Sequence, residues 1–511
     1  MTATLPTGSR QALAAALLFL GACRAEFEPD ITGPGNPPPP PPVVPNLPFR
    51  VGAFGPDYAT GVVTDLADNA IVAGYFQGSV DFDPSTAATV RTSVGAADIS
   101  VAKYATNGGL VWVTVLNGSG ADLPSDMALA PDGGVVVTGV LTPGALCGGR
   151  TVTVQGGRDA FLMKVSSAGA CVWAVGIGGP DQLEEGRDVL VAPSGQITVT
   201  GSFAGTVDFD HGPGVSLLTS RGGLDAFVAR YAADGTFLAV VQLGGLGDDA
   251  GAALTLTPTG DIVVGGEFTG TAFFGSGQSP IALISAGESD FFLAQLAPSF
   301  GVQWAVRGGG SGAEYLPRNA LLYEPGGTLV VVGMFSGTAD LDGSAGTALV
   351  VSQGGTDVFF ARYGVSGGYA GSGRRFGGAG SDGVQGFTID AGNNFYLSGW
   401  FSGSVDFDPG AGLTLRTALG TGTAADAYLL SLTPGADLRW VNTLGAVTGA
   451  EGAVAIGAGL ALSSDGALWG VGRFFGLADL DPGAGAVPAQ ALGESDQFVV
   501  RVEQLTGVIR R

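Results

Sequence analysis

Along most of the chain, apolar and polar positions alternate or bunch in short runs bounded by Gly, Pro, Asp and Ser. That is the pattern of short strands joined by tight turns. The runs recur in register. A glycine before a Phe-rich turn stands at Gly74, Gly139, Gly201, Gly266, Gly333, Gly399 and Gly472, with successive spacings of 65, 62, 65, 67, 66 and 73. In phase with it runs a ladder that opens on Asp: DISVAKY at Asp98, DAFLMKV at Asp159, DAFVARY at Asp225, DFFLAQL at Asp290, DVFFARY at Asp357, DAYLLSL at Asp426 and DQFVVRV at Asp496. A third ladder carries an aromatic residue at Trp112, Trp173, Phe237, Trp304 and Trp440, and a fourth supplies turns such as PDGG at Pro131 and PSGQ at Pro193. A near-constant period of this kind marks a repeat architecture.

Each repeat holds four strand-like runs. In the third they are 188–192, 196–203, 225–231 and 236–242. Four strands per unit, seven times over, predict an all-β chain: a seven-bladed β-propeller of four-stranded blades over residues 49–511. The surplus length of each unit lies between its second and third strands. The folded part opens on PFRVGAFG, which matches the end of a repeat, and the chain stops soon after the third strand of the last one. An N-terminal strand completing the last blade would close the ring and remove its edge, and the C-terminal GVIRR competes for that place. Composition agrees: 90 glycines and only 13% charged residues suit short strands and tight turns.

The order D-A-F-V-A-R-Y, D-G, an aromatic strand, G-G, a P-x-G turn and V-x-G-x-F resembles the bacterial SBBP-type β-propeller repeat across roughly residues 49–511. The resemblance implies a propeller and brings no catalytic residues.

Residues 1–22 read as a signal peptide, with Arg10 before the apolar run QALAAALLFLGA. The tetrad Leu20-Gly21-Ala22-Cys23 resembles the lipobox of bacterial lipoproteins, which implies cleavage before Cys23 and lipid on its sulfur. The alternative is an ordinary secretory signal. Arg24, where an Asp would favour inner-membrane retention, leans towards the outer membrane. Residues 23–48 form a Pro-rich linker with six consecutive prolines, Pro37 to Pro42, an extended semi-rigid spacer. The expected setting is the bacterial cell envelope, with the membrane reached only through the lipid.

A formal charge of −23 disfavours nucleic acid as a partner and leaves cations open. With one histidine in the chain, His211, acid–base and nucleophilic machinery has little to draw on. The surplus segment carries an Asp-x-Asp turn in five repeats: Asp81/Asp83, Asp208/Asp210, Asp340/Asp342, Asp406/Asp408 and Asp479/Asp481. At strand spacing the two carboxylates share a face ~6–7 Å apart. Three readings stand. The pair binds calcium, with carbonyls from the Gly-rich turn, or the aspartates cap the turn by Asx hydrogen bonds, or the two acids do glycosidase chemistry, which needs one site and not five. These turns and the blade-to-blade connections, such as GGLGDD at Gly244 and GGAGSD at Gly377, are expected on one acidic, loop-rich face.

The Asp opening every third strand (Asp98, Asp159, Asp225, Asp290, Asp357, Asp426, Asp496) reads as a structural hydrogen-bonding post. Cys147 and Cys171 both fall in the second repeat, and an exported chain permits their disulfide. Against it, a plain four-stranded blade puts them at opposite ends, and Cα atoms beyond ~7 Å apart cannot be bridged. His211 reads as a surface turn residue. The charges that break the pattern, Glu184-Glu185, Arg187 and Arg374-Arg375, read as solvated surface. The expected role is a non-catalytic binding or scaffold module with a protein or glycan ligand. The alternatives are an exported propeller-fold polysaccharide lyase or hydrolase and a purely structural envelope protein.

Overall fold

The computed structural model describes residues 47–180, 184–275, 280–419, 425–447, 454–483 and 485–510. The signal peptide, Cys23 and nearly all of the linker lie outside the described residues. Among the described residues all regular structure is strand, in antiparallel sheets, and the architecture is propeller-like.

Each of the first six sequence repeats supplies a four-stranded antiparallel meander, and the last supplies three strands. In the third repeat the strands are Glu185–Val191, Ile197–Phe203, Asp225–Tyr231 and Phe237–Gly245. Second and third strands are buried on both faces, which is why they read as continuous apolar runs; fourth strands are half-buried and alternate. First strands of successive repeats pack on one another: Tyr58–Thr64 on Leu123–Leu129, that on Glu185–Val191, and that on Asp249–Leu256. Val454–Leu462 of the last repeat packs against Tyr58–Thr64 of the first.

The two chain ends share one strand. Phe49–Val51 pairs with Asp496–Glu503 at Phe49↔Val499 and Val51↔Gln497. The C-terminal stub bridges the far end of the same strand through Val502 and Ile509. The two candidates for this edge therefore divide it between them.

The surplus between second and third strands is a hairpin, which the sequence pattern does not resolve. In the third repeat its arms are Thr206–Asp208 and Leu217–Thr219. In five repeats the first arm also pairs with the fourth strand of the preceding repeat, as in Cys147↔Leu116, Phe274↔Leu243, Asp340↔Gly309, Asp406↔Gly377 and Asp479↔Gly445. The hairpin thus covers a strand edge that would otherwise face water.

This corrects the expected placement of the Asp-x-Asp turns. The hairpin carries them away from the inter-repeat connections towards the opposite end of the third strand. The tyrosine that closes that strand donates to the carbonyl between the two aspartates: Tyr104 to Phe82 O (3.2 Å), Tyr231 to Phe209 O (3.0 Å) and Tyr363 to Leu341 O (2.6 Å). The driving force is the apolar residue between the acids, since Phe82, Phe209, Leu341, Phe407 and Leu480 are all buried.

The same displacement overturns the geometric objection to the disulfide. The second repeat's hairpin descends beside its fourth strand, so Cys147 and Cys171 have Cα atoms 5.8 Å apart and their sulfurs are bonded.

Fourth-strand tryptophans join neighbours at the same end. Trp112, Trp304 and Trp440 donate Nε1–H to Ser167, Val365 and Gln504 carbonyls in the next repeat.

Candidate functional site

The glycine ladder marks a backbone feature. Against its second strand, the first strand slips register by one residue in six repeats: at Ala59/Gly61, Pro124/Asp126, Gly186/Asp188, Gly251/Ala253, Val384/Gly386 and Gly457/Gly459. A bulge of this kind leaves one residue unpaired and re-aims its side chain. The ladder glycine lies across from the bulge. A Cβ on Gly201 would run into Glu185 O, and one on Gly399 into Gly383 O. Glycine is therefore required by close backbone approach.

The unpaired residues are Thr60, Ser125, Arg187, Ala252, Gln385 and Ala458, chemically different in almost every repeat. In the fifth repeat the first strand is broken between Glu314–Tyr315 and Leu321–Tyr323, and the intervening segment carries Arg318. Thr60, Ser125, Arg187, Ala252 and Arg318 line one cavity of about 310 Å³ at the mouth of the space between first strands, with Tyr58, Glu185, Arg158 and Arg473. A second cavity of about 440 Å³, sharing Thr60 and Arg318, continues along the first strands past Gln385 and Ala458.

The mouth is held by polar contacts. Tyr58 donates to Gln385 Oε1 at 3.0 Å, and the Arg473 guanidinium lies 4.5 Å from the Tyr58 ring centre. Arg187 bonds closely to Glu267 and lies 3.7 Å from Glu185. Behind it, Asp126 and Asp188 are buried and fasten the segment that carries Arg318. Asn319 donates its side-chain amide to Asp126 (3.0 Å) and its backbone N–H to Asp188 (3.2 Å). Burial pushes both carboxyls above the ordinary range, with each other's charge adding at Asp188 and nearby Arg318 opposing at Asp126.

None of the expected site residues lies at this mouth. In the Asp-x-Asp turns, Asp406 Oδ1 accepts the N–H groups of Asp408 (3.1 Å) and Thr414 (2.8 Å), and Asp408 Oδ1 accepts Gly410 N–H (2.8 Å). The first acid does the same at Asp81, Asp208, Asp340 and Asp479, and the second acid takes one N–H at Asp83, Asp210, Asp342 and Asp481. Turn capping is what these carboxylates do here. Among the described residues, no group of three or more His, Cys, Asp or Glu is placed to hold a metal ion. His211 is an exposed turn residue whose Nε2 lies 2.7 Å from Gly235 O.

The third-strand aspartates are buried posts. Asp98, Asp159, Asp225, Asp290, Asp357 and Asp496 each accept the N–H four residues earlier, and Asp426 that of Leu419. Burial raises the carboxyl of each.

The sequence reading missed two sets of residues. One is a second ladder of buried acids opening the first strands, Asp57, Asp122, Glu184, Asp249, Glu314 and Asp382. Its spacing of 65, 62, 65, 65 and 68 was legible. Burial pushes Asp57 and Asp249 up to about 7, Asp122 and Asp382 to about 6, and Glu314 to about 8. The third-strand acid of the preceding repeat adds its repulsion, as Asp225 does at Asp249 and Asp290 at Glu314. The other set is the arginines of the mouth. Arg187 is no solvated surface charge: it is half-buried between two glutamates. Arg375 likewise bonds Asp357 at 3.1 Å. The signal for the mouth was one residue of each first strand varying beside an unvarying glycine.

Comparison with known proteins adds little chemistry. No family model matches the chain. The regulatory protein FlaEY of Caulobacter vibrioides is 32% identical over 114 residues, 22% of this chain and 12% of that protein. A WD repeat-containing protein of Acanthamoeba polyphaga mimivirus is 21% identical over 334 residues, 54% of this chain and 24% of its own length. The chain thus spans a quarter or less of these relatives. Among solved structures, a polysaccharide lyase of family PL25, an ulvan lyase, aligns over 91% of this chain and 98% of its own at 10% identity with a TM-score of 0.43.

Proposed function

We propose that the seven repeats close into a seven-bladed propeller, with Phe49–Val51 completing the last blade, and that the protein is a non-catalytic binding module of the bacterial cell envelope. It is exported by its signal peptide, lipidated at Cys23 and held off the outer membrane by the Pro-rich linker. Ligand enters at the mouth between the first strands. One observation carries this reading: the Asp posts and Asp-x-Asp turns recur from repeat to repeat, whereas the bulge residues differ, and four of them, Thr60, Ser125, Arg187 and Ala252, line one cavity. A fixed scaffold with one variable cluster suits recognition.

The alternative is a polysaccharide lyase or hydrolase, and what favours it is Tyr58 set among arginines. Burial pushes the Tyr58 phenol up from its ordinary value, which disfavours it as a base. The test is binding of the mature protein to glycan arrays and envelope extracts, with product analysis of every bound glycan. Saturable binding without turnover supports the module, and turnover overturns it. Loss of labelled-lipid incorporation in Cys23→Ser tests the anchor.

A further inference from the structure

The chain has 22 Lys and Arg against 45 Asp and Glu, yet four arginines meet at one mouth: Arg158, Arg187, Arg318 and Arg473. In this chain an arginine commonly sits on a carboxylate. Arg50 bonds Asp496 (2.8 Å), Arg307 bonds Asp290 (2.7 Å) and Arg362 bonds Glu324 (2.9 Å). At the mouth only Arg187 does so, held by Glu267 and Glu185. Among the described residues, Arg158 is exposed at the rim, Arg318 and Arg473 are half-buried, and none of the three has a hydrogen-bond or ion-pair partner; Arg473 Nε is fully buried without one.

Withdrawing a guanidinium from water without a directly bonded counter-charge is unfavourable, and the fold tolerates it at Arg473, while Arg318 feels the buried Asp126 without pairing to it. Arg473 and the segment that carries Arg318 are also held in place. Arg473 is stacked on Tyr58 and lies 5.3 Å from the Phe475 ring centre, and the Arg318 segment is tied to Asp126 and Asp188 through Asn319. Donors already oriented lose little freedom on binding.

Resting on the binding reading above, we propose that the mouth is an oxyanion site, in which Arg318 and Arg473 clasp the carboxylate, sulfate or phosphate group of a small polyhydroxylated ligand of sugar-acid type. Planar guanidinium forks match such groups. Ser125, whose hydroxyl lies 3.5 Å from Glu185 Oε1, and the Tyr58 ring line the same cavity, and about 310 Å³ admits a ligand of that size. The acidic exterior works against long polyanions such as nucleic acid.

The test is calorimetric titration of the full mature protein with sodium glucuronate, glucose 6-phosphate, sodium sulfate and sodium phosphate, with glucose as the neutral control. The expected result is saturable binding of at least one anion, none of glucose, and weakening by added NaCl. Arg318→Gln and Arg473→Gln should each weaken binding about tenfold, with Arg318→Lys intermediate and the outer-hairpin Arg91→Gln without effect. Unchanged far-ultraviolet circular dichroism and melting temperature guard against misfolded variants. Sulfate or phosphate alone binding would assign the site to the free anion; glucuronate or glucose 6-phosphate binding more tightly would assign it to a carried one. No saturable anion binding by folded protein, or binding unaltered in the Arg318→Gln, Arg473→Gln double variant, overturns the proposal. If that double variant still captures an envelope component from extracts, the binding module stands and only the oxyanion site falls.

Discussion

Replacing Asp249 by asparagine isolates one member of the buried acid ladder. Asp249 Oδ2 accepts Gly245 N–H at 2.6 Å, its Oδ1 is buried without a partner, and Asp225 and Asp248 add negative charge nearby. Raising the carboxyl from an ordinary 3.8 to about 7 corresponds to about 4 kcal/mol in favour of the neutral form, at ~1.4 kcal/mol per pH unit. Relaxation of the fold around the ionised carboxylate reduces this to about 2 kcal/mol. The native state then binds this proton more tightly than the unfolded chain. Its contribution is complete below about pH 4 and fades as pH rises through about 7. Asp57, Asp122, Glu314 and Asp382 act in the same direction, so the protein should be more stable near pH 5 than near pH 8. Asparagine keeps the acceptor for Gly245 and cannot ionise. The Asp249→Asn variant should match the parent near pH 4 and exceed it by about 2 kcal/mol near pH 8. Urea unfolding followed by tryptophan fluorescence across that range reads this directly. Parallel pH profiles for parent and variant, or a loss of stability at pH 8, would refute the reasoning, because the carboxylate would then be ionised and satisfied in the fold.

Other outcomes follow from the same geometry. Asp406→Ala removes the acceptor for two turn N–H groups and should cost about 1–2 kcal/mol in urea unfolding; if capping is all these turns do, the parent's melting temperature is the same in calcium and in excess EDTA, and a calcium-dependent rise lost in this variant would support the metal reading. Gly201→Ala drives a Cβ into Glu185 O beside the Arg187 bulge, so it should destabilise by more than about 2 kcal/mol and weaken anion binding, both read on the same purified variant. Replacing Cys147 and Cys171 together by serine opens a link across 24 residues and should cost about 3 kcal/mol by chemical denaturation.

The sequence by itself determined the strands and their period. Those features are local: apolar runs bounded by turn residues report burial on a pleated surface whatever the neighbours are, and Ile197–Phe203 and Asp225–Tyr231 were legible almost to the residue. It also carried the aspartate posts, because a buried hydrogen-bonding role at every repeat leaves the same residue at every repeat. Tertiary structure alone decided where the surplus hairpin goes. Its arms are only about three residues long, too short for a periodic signal, and its direction is set by burying Phe209 or Phe407 against the third strand and by pairing with the preceding repeat. That one choice moved the Asp-x-Asp turns off the connection face and brought Cys147 to Cys171. The mouth was hidden for a related reason. A bulge is a relation between two strands, so its unpaired residue shows in the chain only as one varying position among fixed ones, and an arginine there looks like any surface arginine until the first strands of distant repeats are brought together around it.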